Sequence, residues 1–84
     1  MQSKDIKQII ESGIPNCLAE IQGDDGTHFD AIIVSEEFAG KSMVQQHQIV
    51  YKTLGEKMGN DIHALSIQTY TPEEWEAKKK LRIV

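Results

Sequence analysis

Two histidines are the residues of this chain best suited to bind a metal. His28 follows the turn sequence Asp24-Asp25-Gly26-Thr27, and His63 lies further along the chain. Neutral imidazole is a common nitrogen ligand for zinc, copper and iron-sulfur clusters. Two imidazoles do not complete a four-coordinate site, and only the Asp24 and Asp25 carboxylates lie nearby in the sequence. The pattern suggests ligation shared with a partner; alternatively, His28 is an exposed turn residue and His63 a hydrogen-bonded histidine at the rim of the core.

The other reactive residue types favour structural roles. His47 fills a gap in the apolar stripe of a predicted helix, which is typical of a partly buried packing residue satisfied by a hydrogen bond. Cys17, at the start of the first predicted strand, alternates with apolar residues and reads as a small buried side chain rather than a nucleophile. Gly40-Lys41-Ser42 lacks the first glycine of a phosphate loop, because Ser35 stands at that position. We therefore expect a protein that is not an enzyme.

Composition limits the remaining classes of protein. A chain of 84 residues is expected to form a single domain over 1–84. No apolar run approaches the roughly 20 residues that cross a bilayer, and the first residues lack the apolar core of a signal peptide, so we expect a cytoplasmic protein with no membrane contact. The single cysteine forms no internal disulfide. A net charge of -4 argues against strong nucleic-acid binding, which comes mainly from neutralising phosphates.

Six main elements are predicted. Isoleucines at helical spacing predict a first helix over residues 3–13 with Ser3 as its N-cap. Residues 18–23 and 28–34 read as two strands joined by an Asp-Gly hairpin turn. After a connector over 36–40, a long helix begins at Ser42 and is stopped by Gly59-Asn60. Its predicted apolar stripe consists of Met43, Val44, Val50, Tyr51, Leu54 and Met58.

A third strand and a final helix complete the predicted order of elements. Residues 64–70 alternate as a third strand, and Thr71-Pro72-Glu73-Glu74 is a capping box that begins a final helix carrying Trp75. The order α-β-β-α-β-α predicts an α/β (α+β) two-layer sandwich, with a three-stranded mixed sheet and helices on one face. A helical crossover normally joins parallel strands. Strands two and three would then begin at the same end of the sheet, which would bring His28 and His63 close together.

Several motifs together resemble the BolA family, in particular its short bacterial branch. They cover nearly the whole chain: the hairpin 23–29, FAGKS at 38–42, QHQIVY at 46–51, IHALSI at 62–67 and YTPEEW at 70–75. The resemblance implies a class II KH-like fold and a non-enzymatic partner of monothiol glutaredoxins. It also implies a [2Fe-2S] cluster bridged between the two proteins, with the glutaredoxin cysteine and glutathione as thiolate ligands. By position in the family's motifs, His63 and His28 are the implied histidine ligands.

The same resemblance leaves a second function open. The family is also discussed as DNA-binding transcriptional regulators and as factors in acid or envelope stress, so a KH-like DNA- or RNA-binding regulator is the alternative. Its candidate residues here are Lys41, Lys52 and His47. Gln46 and Gln48 stand where the longer BolA type has arginines, which weakens direct DNA binding. Alone, the protein is expected to hold no cluster and to be a monomer or weak homodimer; a purely structural interaction domain is the third possibility.

Overall fold

The computed structural model describes residues 1–23, 28–59, 62 and 64–83, with only the backbone at 81–83. The three α-helices and three strands appear in the predicted order. Their bounds are α1 Ser3–Gly13, β1 Leu18–Gln22, β2 His28–Val34, α2 Met43–Leu54, β3 Ala64–Tyr70 and α3 Pro72–Ile83. Two short 3-10 segments, Glu36–Phe38 and Gly55–Lys57, flank α2. No described helix has the length and apolar character needed to span a membrane.

The three strands form one mixed sheet in the order β1-β2-β3. β1 pairs antiparallel with β2, and β2 pairs parallel with β3, as the sequence predicted. The parallel register sets His28 opposite Ala64 and Val34 opposite Tyr70. Strands β2 and β3 therefore begin at the same level, and this common N-terminal end of the sheet is the place where the sequence predicted a site. The hairpin turn, residues 24–27, lies outside the described residues.

One face of the sheet packs against α1 and α2. Alternate residues of β1 and β2 are buried there, because successive side chains of a strand point to opposite faces. Since a shift of one residue would turn this apolar set to solvent, burial fixes the register of the strands. The buried core includes Ile6, Ile10, Ala19, Phe29, Ala31, Ile33, Phe38, Val50, Leu54 and Ile62.

Three predicted helix limits differ from the structure, and one of them is the start of α2, which is Met43 with Ser42 as its N-cap. Ser3 is the first residue of α1 rather than its cap, because Gln2 and Asp5 form the capping box. The long helix ends at Leu54, and the predicted stop at Gly59-Asn60 is wrong. Gly55 has a φ of 53°, a conformation that favours glycine, and the chain continues from it in a 3-10 segment. Asn60 lies outside the described residues.

The predicted apolar stripe of α2 is only partly buried. Val50 and Leu54 are in the core, whereas Met43 is 71% exposed, Val44 66% and Tyr51 39%. Residues of an α-helix advance by 100°, so Val44 lies roughly 120° around the helix from Val50 and outside the arc that faces the sheet. The stripe was wrong at Val44 because apolar residues occupy a wider arc of α2 than the sheet covers; Met43 lies only about 20° from Val50, and its exposure goes with its place as the first residue of the helix. His47 lies at the margin of that arc and is half-buried, as predicted.

Candidate metal-ligand end of the sheet

His28 is the first residue of β2 and is exposed to solvent. Its partner in the parallel register is Ala64, the first residue of β3. His63 directly precedes Ala64 in the sequence, but it lies outside the described residues, as do Asp24 and Asp25. The structure thus confirms the strand register behind the predicted pairing of the two histidines, and the position of the second imidazole stays a prediction.

Packing around Phe29 holds His28 at this place. Phe29 is 3% exposed and the residues on either side of it are exposed, so the strand has a single register that leaves His28 outside the core. Gly23 is the second constraint. A Cβ on Gly23 would lie 2.6 Å from the His28 carbonyl oxygen and 2.6 Å from Cδ1 of Phe29, so only glycine allows the two chain segments to approach this closely. The sequence alone did not reveal this role of Gly23. The signal that could have indicated it is a glycine directly before the hairpin turn.

Metal-binding residue types are otherwise dispersed in the described structure. No three His, Cys, Asp or Glu side chains of the described residues form a group that could hold a metal ion. Cys17 precedes β1 rather than opening it and is half-buried against the core. Burial raises the pKa of its thiol to about 11, and the Glu11 carboxylate acts in the same direction. The protonated thiol supports the prediction that Cys17 is not a nucleophile.

The predicted nucleic-acid residues lie on and beside α2. Lys41 and Lys52 line the same shallow cavity of about 320 Å³, together with Gln45, Gln48 and Ile49. His47 is not among the residues that line it. Helix α2 contains no acidic residue, although the whole chain has 13. The structure therefore brings two of the three predicted residues to one cation-bearing surface.

Gln46 has a role that the sequence did not reveal. Its Nε2 donates to the carbonyl oxygens of Phe38 and Lys41, at 3.0 Å each, and its Oε1 accepts from the Thr69 hydroxyl at 2.5 Å. One side chain thus ties the loop before α2 to β3. The resemblance to the BolA family marked Gln46 only as a position where the longer type has an arginine, and no local sequence pattern indicated these three contacts.

The described residues form a small α+β domain with a mixed sheet and an exposed histidine at the start of one strand. They contain no recognisable catalytic constellation. Residues 9–74 match the family model for BolA-like protein. Because the match covers most of the chain, the protein belongs to the BolA-like family. The resemblance found in the motifs is therefore confirmed.

Relatives and solved structures agree with this assignment. The acid stress protein IbaG of Escherichia coli is 39% identical over 82 residues, covering 96% of this chain and 96% of IbaG. The DNA-binding transcriptional regulator BolA of Vibrio cholerae is 40% identical over 89% of this chain and 67% of its own length. The structure of a BolA homologue from Coxiella burnetii superposes with a TM-score of 0.82 at 43% identity, covering 90% of this chain and 97% of that one.

Proposed function

We propose that this protein is a non-enzymatic adaptor that pairs with a monothiol glutaredoxin and shares a [2Fe-2S] cluster with it, in iron-sulfur homeostasis and the stress response. The observation that carries the proposal is the position of His28. It is exposed, it begins β2, and it lies level with Ala64, the residue that follows His63 in the sequence. An exposed imidazole at the end of a strand can be reached by another protein.

The residues present fit such a cluster. Two histidines can replace two cysteines on one iron of a [2Fe-2S] cluster, and His28 and His63 are the two that we propose as ligands. The glutaredoxin cysteine and glutathione would supply the thiolates that this chain does not offer here. The protonated, half-buried Cys17 supports this division of ligands, because metals bind the thiolate rather than the thiol.

Reconstitution with a purified monothiol glutaredoxin, glutathione and iron-sulfide tests the proposal. We expect a heterodimer whose visible absorption and circular dichroism differ from those of the cluster-loaded glutaredoxin alone. His63→Ala should remove or strongly labilise the shared cluster, and His28→Ala should shift its spectrum with a smaller loss. His47→Ala, which changes a histidine on α2, is the matched control and should leave the spectrum unchanged. If the wild-type chain forms no complex and leaves the glutaredoxin spectrum as it was, the proposal is wrong.

Nucleic-acid binding is a second candidate, which the cation-bearing surface of α2 favours. Lys41 and Lys52 line its groove and α2 carries no acidic residue. However, Lys41 Nζ already donates to the Glu37 carbonyl oxygen at 2.6 Å. Two phosphate contacts would give a slope, in a plot of log affinity against log salt concentration, of about -1.8 for a duplex and about -1.4 for a single strand. A titration with duplex and single-stranded probes should show those slopes, and Lys52→Ala should halve each of them; absence of binding at low salt would eliminate this function.

A further inference from the structure

The face of the sheet that points away from α1 and α2 is polar and concave. We name it the open sheet face, defined by Glu20, Gln22, Asp30, Ile32, Ser66 and Gln68. These side chains line a cavity of about 430 Å³ that extends over all three strands. All six are exposed except Ile32, which is half-buried.

The open sheet face is continuous with His28. His28, Asp30 and Ile32 are alternate residues of β2, so their side chains project from the same side of the sheet. Alternate residues of a strand are roughly 7 Å apart. Asp30 is flanked by Gln22 on β1 and by Ser66 on β3. A protein that holds a cluster against the His28 imidazole therefore comes close to Asp30 and to the row that Asp30 forms with Gln22 and Ser66.

The open sheet face is negatively charged, which favours a partner with a positively charged surface. Glu20 and Asp30 contribute two carboxylates, and the other lining side chains are neutral. Lys78, on α3, lies at the edge of the face: its Nζ donates to the Tyr70 hydroxyl, which in turn donates to Gln68 Oε1 at 2.7 Å, although Lys78 does not itself line the cavity. The described lining of the cavity thus contains no lysine or arginine to neutralise the two carboxylates. Complementary charge across an interface steers association and suppresses wrong partners.

We propose that the open sheet face is the docking surface for the glutaredoxin, and that lysine or arginine side chains of the glutaredoxin lie against Asp30 and Glu20. This inference rests on the proposed function and adds how the partner is recognised. His28 provides a ligand for the cluster, and the open sheet face selects the protein that brings the cluster. The Gln22 amide and the Ser66 hydroxyl complete a polar surface that favours hydrogen bonds over apolar contact, and the Gln68 Oε1 already accepts from the Tyr70 hydroxyl.

Charge reversal at the face tests the inference. Binding of a cluster-loaded monothiol glutaredoxin to the wild type, Asp30→Lys and Glu20→Lys would be measured by calorimetry at two salt concentrations. We expect Asp30→Lys to weaken binding at least tenfold and Glu20→Lys severalfold, with the wild-type affinity falling as salt rises. Glu76→Lys makes the same change of charge on α3, at a side chain that is 65% exposed and does not line the cavity. It should alter the affinity less than twofold.

Two further measurements keep the outcome unambiguous. Asp30→Asn removes the charge with little change of shape and should show an intermediate loss, and thermal melting checks that each variant is folded. The circular dichroism of the cluster at saturating concentrations should be the same for Asp30→Asn and the wild type, because Asp30 is not a proposed ligand. If the wild type binds and both reversed variants bind as tightly as Glu76→Lys, the docking surface is refuted and the cluster proposal stands. If the wild type itself forms no complex, both proposals are refuted.

Discussion

Replacing Gln46 by alanine should destabilise the fold more than any other change of an amide side chain on α2. The substitution removes three hydrogen bonds, of which those to the Phe38 carbonyl and the Thr69 hydroxyl are partly buried and the one to the Lys41 carbonyl is exposed. A net contribution of about 0.5–1.5 kcal/mol per bond gives a loss of about 2 kcal/mol in the free energy of unfolding. For a domain of this size, that loss corresponds to a fall of about 10 °C in the melting temperature.

Urea unfolding followed by far-UV circular dichroism measures this loss directly. Gln48→Ala is the matched control, because Gln48 is an exposed glutamine on the same helix. It should change the free energy of unfolding by less than about 0.5 kcal/mol. If Gln46→Ala lies within that same margin of the wild type, the contacts between Gln46, the loop before α2 and β3 do not contribute to stability and the reasoning is refuted.

Two further predictions concern α1 and the start of β1. The Ala19 backbone N–H, which donates to the Glu11 carboxylate, has the largest effect on the pKa of Glu11, and Lys7 has the next largest; both lower it below its usual 4.5. The charged form of Glu11 therefore stabilises the fold above pH 4.5. This contribution is lost as the pH falls through the lowered pKa. Glu11→Gln should therefore cost less than about 1 kcal/mol at pH 7, with the difference shrinking below pH 4.5; a difference that stays constant in urea titrations down to pH 3 contradicts this. Because burial raises the Cys17 pKa from 9.0 to about 11, its alkylation by iodoacetamide at pH 8 should be about a hundredfold slower than in the urea-unfolded chain, and equal rates would count against the burial.

The strands were predictable because their signals are local. β2 and β3 have the predicted limits, since His28 and Ala64 each begin a run of alternating residues, and the helical crossover fixed their parallel pairing. The capping box at the start of α3 was likewise visible, and Thr71 and Glu74 exchange the two expected hydrogen bonds. In each case a short segment carries the information that determines its own structure.

Other features depend on contacts that no short segment reveals. The end of α2 was misplaced because the helix ends where Gly55 adopts a positive φ, which the sequence alone does not predict. Gly59-Asn60 was the stronger helix-ending signal in the sequence. The exposure of Val44 and the three contacts of Gln46 depend on how α2 lies against the sheet. The open sheet face was missed for the same reason. Its residues come from three strands, and only their register brings Glu20, Asp30 and Ser66 to one surface.

Nuclear magnetic resonance of the isotope-labelled chain, titrated with a cluster-loaded monothiol glutaredoxin, tests the central claim most directly. The shared-cluster account predicts that line broadening and chemical-shift changes centre on His28 and Ala64, extend to Asp30 and Ser66, and leave the exposed side of α2 unchanged. An equal titration with the cluster-free glutaredoxin should retain the shifts at Asp30 and Ser66 and lose the broadening at His28. Changes confined to α2 around Lys41 and Lys52, with His28 and Ala64 unaffected, would contradict the account.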